Sequence, residues 1–353
     1  FTEADRRDSA RKAVILYANI GDDPKMLASR QVFVDNKPTV EQKMEIDYLV
    51  AESDLKRWDE NGADEGANRQ ARLKAIAAME GYYTKNRNVG EAAQFLVNSA
   101  YNAQKAYRVG KDIGKARTWC DSATKAFDTH KNRTRGNGEK VLGPAEADMA
   151  AECAFRVVDD DLKAKWDYDT NHHRYTGVVD KVKEAFEKDL KEANDVWSPK
   201  LQKVIETYNS LKWNVATRAR QGSVYDSIRT GLYNATPPAV RLYNDKEEKL
   251  LKMAETSEDD DLILKADEIR QTRREVWRKT RDDLLNEADK VMVNRYAEAV
   301  VWAKAFKVRT EAVDHAIRRL AFFTDIIGNA KLRDYTQGIV DPTTKQAFNY
   351  TDN

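Results

Sequence analysis

Apolar residues recur every three to four positions along most of this chain, which is the spacing that places them on one face of an α-helix. Between residues 3 and 19, for example, Ala10, Val14 and Ala18 fall on one stripe. No run alternates between apolar and polar residues for long enough to predict a strand, so the expected fold class is all-α. The pattern predicts helices near residues 3–19, 39–58, 64–84, 89–109, 112–130, 144–168, 175–195, 198–208, 213–230, 241–255, 259–286, 288–306 and 309–328.

Three stretches interrupt this helical pattern. Residues 20–38 contain Gly21 and Pro24 and are expected to be irregular. Residues 131–143 combine glycines with polar residues and have no apolar period, which predicts a mobile loop. Residues 335–353 offer little core material and are interpreted as a tail. The predicted organisation is N-terminal helical repeats, the loop, C-terminal helical repeats and the tail, at 1–130, 131–143, 144–334 and 335–353.

Within the helical segments, small and large residues are arranged as in stacked helix pairs. Residues 100–127 place small side chains where two helices would approach closely. Residues 203–225 read as the end of one pair and the start of the next, with Gly222 at a small-residue position, and 296–323 is a weaker third match. These segments resemble the tetratricopeptide repeat, although Gln104 stands where that family prefers glycine or alanine. The resemblance implies an α-solenoid of antiparallel helix pairs with irregular insertions. Its packing positions in the first segment are Ala100, Ala103, Tyr107, Ala116, Cys120 and Ala123.

Two stretches in the C-terminal half indicate a more specific resemblance. The stretches at 219–228 and 317–325 are similar to the large periplasmic tetratricopeptide proteins of myxobacterial adventurous gliding motility. That similarity implies a non-enzymatic scaffold in the periplasm or cell envelope, as a subunit of a multiprotein complex. Two alternatives stay open, an outer-membrane biogenesis adaptor and a cytoplasmic cochaperone or regulator. The chain begins at Phe1 without an initiator methionine, which we interpret as a removed leader or a fragment.

Charge and composition exclude several other classes of protein. Lysine and arginine number 60 against 59 acidic residues, so a charge-driven nucleic-acid binder is not expected. No window is long and apolar enough to predict a membrane span. We find no phosphate loop, dinucleotide fingerprint or nucleophile elbow, and His172 and His173 are adjacent and make a poor metal clamp. We therefore expect protein partners and no small-molecule substrate, cofactor, metal or catalytic residue.

The two cysteines, Cys120 and Cys153, admit two interpretations. They are too few for a disulfide scaffold and lack zinc-site spacing, so they are read either as small buried side chains or as one disulfide between neighbouring helices. The disulfide would require an oxidising compartment, whereas free thiols would favour the cytoplasmic alternative.

Arginine and aromatic residues concentrate in one helix of the C-terminal half. These residue types dominate interface energetics, so we expect a minority of them to line a concave, partner-binding face. The candidates are Arg218, Arg220, Tyr225, Arg229 and Tyr233.

Overall fold

The structure is a computed structural model that describes residues 2–168 and 171–348. About 77% of the chain is helical, which confirms the all-α fold class. The chain divides into a first unit, Phe1–Val157 with Thr207–Ser210, and a second unit, Val158–Glu206 with Leu211–Asn353. This division falls inside a helix and not in the 131–143 segment where the sequence analysis placed it.

Helices of the first unit pack mainly against their neighbours in the chain. The contacting pairs are α1 with α2 and α3, α3 with α4, α4 with α5, and α5 with α6. The small residues predicted to lie between α5 and α6 are buried, as the resemblance implied; the solenoid itself stays a prediction. The helices are α1 Glu3–Ile20, α2 Asp23–Asp35, α3 Val40–Lys56, α4 Gly66–Asn86, α5 Ala93–Val109, α6 Ile113–His130 and α7 Pro144–Lys165, which ends in the second unit.

The prediction that residues 20–38 are irregular is wrong, because α2 occupies most of this stretch. Asp22 caps the helix by accepting a hydrogen bond from the Lys25 backbone N–H, and Pro24 lies in the first turn. A proline there removes an N–H that has no partner within the helix, so it does not break the helix. Met26 and Phe33 bury the inner face.

Residues 131–143, predicted as a mobile loop, make several contacts within the first unit. Thr134 and Lys140 form an antiparallel bridge, and Val141 and Leu142 are buried. Arg133 lies 2.7 Å from the carboxylate of Glu91, in the short helical turn just before α5. The mobility of the segment stays a prediction.

In the second unit, helices distant in the chain pack together. The central helix α10 contacts α8, α12 and α13, and α12 also contacts α11 and α13. In this unit α10 and α12 make most of the helix contacts, and the predicted solenoid of antiparallel helix pairs stays a prediction here as well. Beyond α7 the elements are β1 Gly177–Val178, α8 Val179–Glu192, a π-helical turn Ala193–Trp197, α9 Ser198–Thr207, α10 Leu211–Tyr233, β2 Val240–Arg241, α11 Asp245–Ala254, α12 Asp260–Phe306 and α13 Glu311–Tyr335.

The helix α12 is continuous where two helices were predicted. It runs for 47 residues through the expected break at 286–288 because no glycine or proline interrupts that stretch. Its N-cap, Asp259, accepts hydrogen bonds from the backbone N–H groups of Asp261 and Leu262. In α13, Gly328 has φ 78° and ψ 157° and kinks the helix at the position where its end was predicted.

The segment interpreted as a tail contributes to packing where the structure describes it, up to residue 348. Thr336 and Ile339 are buried, and Val340 forms an antiparallel bridge with Ala347. Residues 349–353 lie outside the described part of the chain. Among the described residues, no helix has the length and apolar character required to cross a membrane.

Candidate functional site

Two of the arginines predicted to face a partner are ion-paired inside the second unit. Arg218 Nη1 lies 2.8 Å from Glu298 Oε1. Arg229 Nε lies 3.1 Å from Asp289 Oδ1, and both side chains are buried. A partner could reach these guanidinium groups only by displacing their carboxylates, so the structure gives them an internal role, and their role in partner binding stays a prediction.

Arg220 and Tyr225 also have partners within the second unit. Arg220 lies 2.7 Å from Asp159 and 2.8 Å from Asp167, and its side chain is largely buried. Tyr225 is buried and donates a hydrogen bond to Asn194 Oδ1 at 2.7 Å. The physical reason is that α10 packs against α8, α12 and α13, so most of its residues are buried.

Tyr233, the fifth predicted residue, is exposed at the end of α10. It retains 46% of its accessible surface. The Arg281 guanidinium lies 5.2 Å from the centre of its ring, a cation–π distance. Tyr233 is therefore the one predicted contact residue that a partner could reach, and Arg281 connects it to α12.

A polar cluster around Asp226 joins α10, α12 and α13. Arg319 donates two hydrogen bonds of 2.6 Å to the carboxylate. The Tyr296 hydroxyl lies 3.1 Å from Asp226 Oδ2 and 3.3 Å from His315 Nε2. Burial raises the pKa of Tyr296 well above its usual value and lowers the pKa of His315. Because these groups satisfy one another, we interpret the cluster as part of the core.

Cys120 and Cys153 are free thiols buried in one apolar cluster. Burial and the adjacent Cys120 raise the pKa of the Cys153 thiol, which keeps it protonated and unreactive. The structure thus contains the pair of small buried side chains, and the disulfide alternative stays a prediction.

The ring nitrogens of His173 are both engaged. Nδ1 lies 2.7 Å from Asp189 Oδ2, and Nε2 lies 2.6 Å from the Trp166 carbonyl oxygen. Among the described residues, no group of three histidine, cysteine or acidic side chains is placed to hold a metal ion.

A cleft of about 560 Å³ opens between α11, the 236–243 segment and α12 in the second unit. We call it the arginine cleft, because four guanidinium groups of α12 line one of its walls. Apolar residues and Glu255 form the remainder. Its lining residues are Thr236, Pro237, Leu242, Tyr243, Leu251, Glu255, Arg270, Arg274, Trp277, Arg278 and Arg281.

The spacing of these arginines follows from the helix. Arg270, Arg274 and Arg278 are each four residues apart, and Arg281 is three residues further on. Residues three and four apart lie on one face of an α-helix, so the guanidinium groups form a single stripe. Trp277, 4% exposed, lies on the same stripe.

The four arginines differ in how their charge is balanced. Arg270 lies 2.9 Å from Asp267 and 3.7 Å from Glu255, and Arg281 pairs with the residue that follows it. The side chains of Arg274 and Arg278 are exposed, and neither pairs with another described residue. The unbalanced positive charge of the cleft is therefore centred on these two residues.

Arg273, next to Arg274 on α12, is an arginine whose charge is balanced by a carboxylate. It donates hydrogen bonds of 3.0 Å and 2.7 Å to Glu247 Oε1 on α11. This contact lowers the pKa of Glu247. Arg274 is next in the chain, so it lies on a different face of the helix, and it forms no ion pair with a described carboxylate.

The apolar part of the cleft includes the buried residue Trp277. Leu242 and Leu251 are buried beside Trp277. The indole Nε1–H of Trp277 is buried and has no hydrogen-bond partner among the described residues. The cleft thus combines cationic groups with apolar walls, which suits an anionic ligand and not a metal ion.

The stripe carries little signal in the sequence. Its only signal is the recurrence of arginine at intervals of four with a tryptophan on the same face. A charged stripe of this kind ordinarily marks a solvated helix surface. Only the packed structure shows that Arg274 and Arg278 have no acidic partner among the described residues.

Comparison with protein families, with curated protein sequences and with solved structures finds no match to this chain. The tetratricopeptide resemblance and the relation to gliding-motility proteins therefore stay predictions from the sequence.

Proposed function

We propose that this chain is a non-enzymatic protein-interaction scaffold and that the arginine cleft holds an acidic segment of a partner protein. The observation that carries the proposal is that Arg274 and Arg278, on the cleft wall, form no ion pair with any residue that the structure describes. Other arginines of the same unit, such as Arg220 and Arg319, are held by carboxylates.

Electrostatics favours an acidic occupant. Like charges four residues apart on a helix repel each other by about 0.2–0.5 kcal/mol. An anion placed between Arg274 and Arg278 replaces this repulsion with charge-assisted hydrogen bonds, which are the stronger kind. Carboxylates of an acidic segment meet this requirement.

The length of the stripe favours a chain segment over a compact small molecule. From Arg270 to Arg281 the helix rises about 16 Å, at 1.5 Å per residue. An extended peptide of about five residues spans that distance. Exposed Tyr233, in contact with Arg281, lies at one end of the stripe and provides an aromatic anchor of the kind enriched at interfaces.

The wider role we propose is the one implied by the resemblance in the sequence: a subunit of a multiprotein complex of the bacterial envelope, such as a gliding-motility machinery. What supports this part is the similarity of residues 100–127 and 203–225 to tetratricopeptide repeats. Crosslinking in cells followed by identification of the captured proteins tests it. Recovery of only cytoplasmic proteins would contradict the envelope assignment and leave the cleft proposal unaffected.

The cleft proposal is tested by fluorescence anisotropy with a labelled peptide of consecutive glutamates. We expect the full chain to bind it and the variant Arg274→Gln/Arg278→Gln to bind it about tenfold more weakly, as expected when two charge-assisted contacts are lost. The matched control is Lys265→Gln/Lys279→Gln, which removes the same charge from exposed positions of the same helix outside the cleft lining.

An equal loss of affinity in both double variants would indicate a general charge effect and contradict the proposal. Unchanged binding in the arginine variant would contradict it as well. A single-stranded oligonucleotide is included as a competitor, because preferential binding of nucleic acid would replace the protein partner with a different class of ligand.

A further inference from the structure

We infer that the group on the partner segment that the arginine cleft recognises is a phosphate monoester, such as that of a phosphorylated serine. This inference rests on the proposed function and specifies the chemistry of its ligand. It is carried by the charge, spacing and surroundings of Arg274 and Arg278.

The charge of the two free guanidinium groups matches one phosphate. Arg274 and Arg278 together carry two positive charges that no described side chain balances. A phosphate monoester carries about −1.5 to −2 at neutral pH on a single group, whereas a carboxylate carries −1. One phosphorylated side chain therefore neutralises the pair without a second anionic residue.

The spacing of the two arginines also favours phosphate over carboxylate. Side chains four residues apart on a helix are neighbours, with Cβ atoms about 5–6 Å apart, so both guanidinium forks can reach one ligand. A carboxylate has two oxygens, which a single bidentate fork occupies. A phosphate monoester offers three strongly accepting oxygens and can serve both forks at once.

Groups nearby restrict where the anion can lie. Glu255 lines the cleft and approaches Arg270 at 3.7 Å, so an anion is repelled from that end and directed toward Arg274 and Arg278. Trp277, between them in the chain, holds an indole N–H without an acceptor.

The apolar wall of the cleft provides a surface for the part of the ligand that carries the phosphate. Leu242, Leu251 and Pro237 line the cleft beside the arginines, and its volume of about 560 Å³ exceeds what a phosphate group alone would fill. The remaining space fits the side-chain stem and backbone of the residue that carries the phosphate. This favours a phosphorylated protein segment over free inorganic phosphate.

The test compares three peptides that differ at one central position within the same acidic frame. That position is serine, phosphoserine or glutamate, and binding to the full chain is measured by fluorescence anisotropy at two salt concentrations. We expect the phosphoserine peptide to bind at least about tenfold more tightly than the glutamate peptide. The preference is expected to disappear in Arg274→Gln/Arg278→Gln and to persist in Lys265→Gln/Lys279→Gln.

A conservative variant separates fork geometry from charge. Arg274→Lys/Arg278→Lys keeps both positive charges but lacks the planar fork, so we expect it to retain binding of the glutamate peptide and to lose most of the phosphate preference. In the complex with the wild-type chain, the ³¹P resonance of the phosphoserine peptide is expected to shift, and this shift is expected to be absent with the glutamine variant. Circular dichroism verifies that each variant is folded.

The outcomes distinguish this inference from the proposed function. If all three peptides bind equally and the arginine variant weakens them all, the phosphate inference is overturned and the scaffold proposal stands. If none of the peptides binds, both are overturned. If the chain binds phosphatidic acid vesicles more tightly than the phosphoserine peptide, and the binding depends on the arginines, the phosphate belongs to a lipid and the protein ligand is overturned. If inorganic phosphate competes as well as the phosphoserine peptide does, the role of the peptide segment is overturned.

Discussion

At the scale of single residues, the second unit depends on close approaches that only glycine permits. Gly231 of α10 lies against His173, and a Cβ added at that position would come within 2.3 Å of the His173 carbonyl oxygen. A backbone oxygen cannot rotate away as a flexible side chain can. The identity of this residue therefore sets how closely the 171–175 segment packs on α10.

We predict that Gly231→Ala destabilises the chain by about 1–3 kcal/mol, the usual cost of overpacking. The control is Gly81→Ala in α4, where an added Cβ meets nothing within 4 Å. There alanine should stabilise the helix by up to about 1 kcal/mol. Urea unfolding of both variants measures the difference, and equal effects would show that the close approach at Gly231 has no energetic weight.

A second effect at the scale of single residues is that His315 makes the stability of the folded chain depend on pH. Burial lowers the pKa of His315 below its usual 6.5, and nearby Arg319 acts in the same direction against the opposing effect of Asp226. The folded state thus binds this proton less readily than the unfolded state. It follows that this contribution to stability is complete above pH 6.5 and is lost as the pH falls below that value.

We therefore predict that the free energy of unfolding falls less between pH 6.5 and 5 in His315→Gln than in the wild-type chain. The control variant, His172→Gln, changes an exposed histidine outside this cluster and should keep the wild-type slope. Denaturant unfolding at a series of pH values makes the comparison. Identical slopes in all three proteins would assign the acid sensitivity to other groups.

At the scale of secondary-structure elements, the continuity of α12 matters most, because it brings the arginine stripe and the core residues onto one rigid helix. Met292 and Tyr296 in its C-terminal half are fully buried, while Arg274 and Arg278 in its N-terminal half line the cleft. A break between the halves would uncouple the cleft wall from the core that fixes it.

Proline substitution tests this continuity. We expect Glu287→Pro, at the break that the sequence pattern suggested, to cost about 3 kcal/mol or more, because it removes a backbone hydrogen bond and clashes with the preceding turn. Asp260→Pro occupies the first helical position after the extended N-cap Asp259, where proline is tolerated, and should have little effect. Thermal unfolding distinguishes the two, and similar melting temperatures would contradict a continuous helix.

The elements also show which features the sequence could predict. Apolar periodicity located most helices, because this signal is local. The prediction that residues 20–38 are irregular is wrong because it treats Pro24 as a helix breaker, whereas a proline in the first turn is compatible with a helix. The sequence predicts Arg218 and Arg229 on a partner-binding face because arginine and aromatic residues dominate interface energetics. Their carboxylate partners lie 60 to 80 residues away in the chain, which no local pattern reveals.

At the scale of the whole molecule, the balance of 60 basic and 59 acidic residues hides an uneven distribution of charge. Many charged side chains are used in ion pairs within each unit, whereas the arginine cleft keeps two positive charges in excess. A nearly neutral protein can in this way carry one local site for an anionic segment without attracting polyanions over its entire surface.

The central claim, that the arginine cleft is the place where an acidic segment binds, is tested most directly by photocrosslinking. A glutamate-rich peptide with a benzophenone side chain is irradiated with the full chain, and the modified residues are identified by mass spectrometry. We predict modification within residues 236–255 and 270–281, lost in Arg274→Gln/Arg278→Gln and retained in Lys265→Gln/Lys279→Gln. Crosslinks that map to other segments, with equal yield in both double variants, would contradict the account.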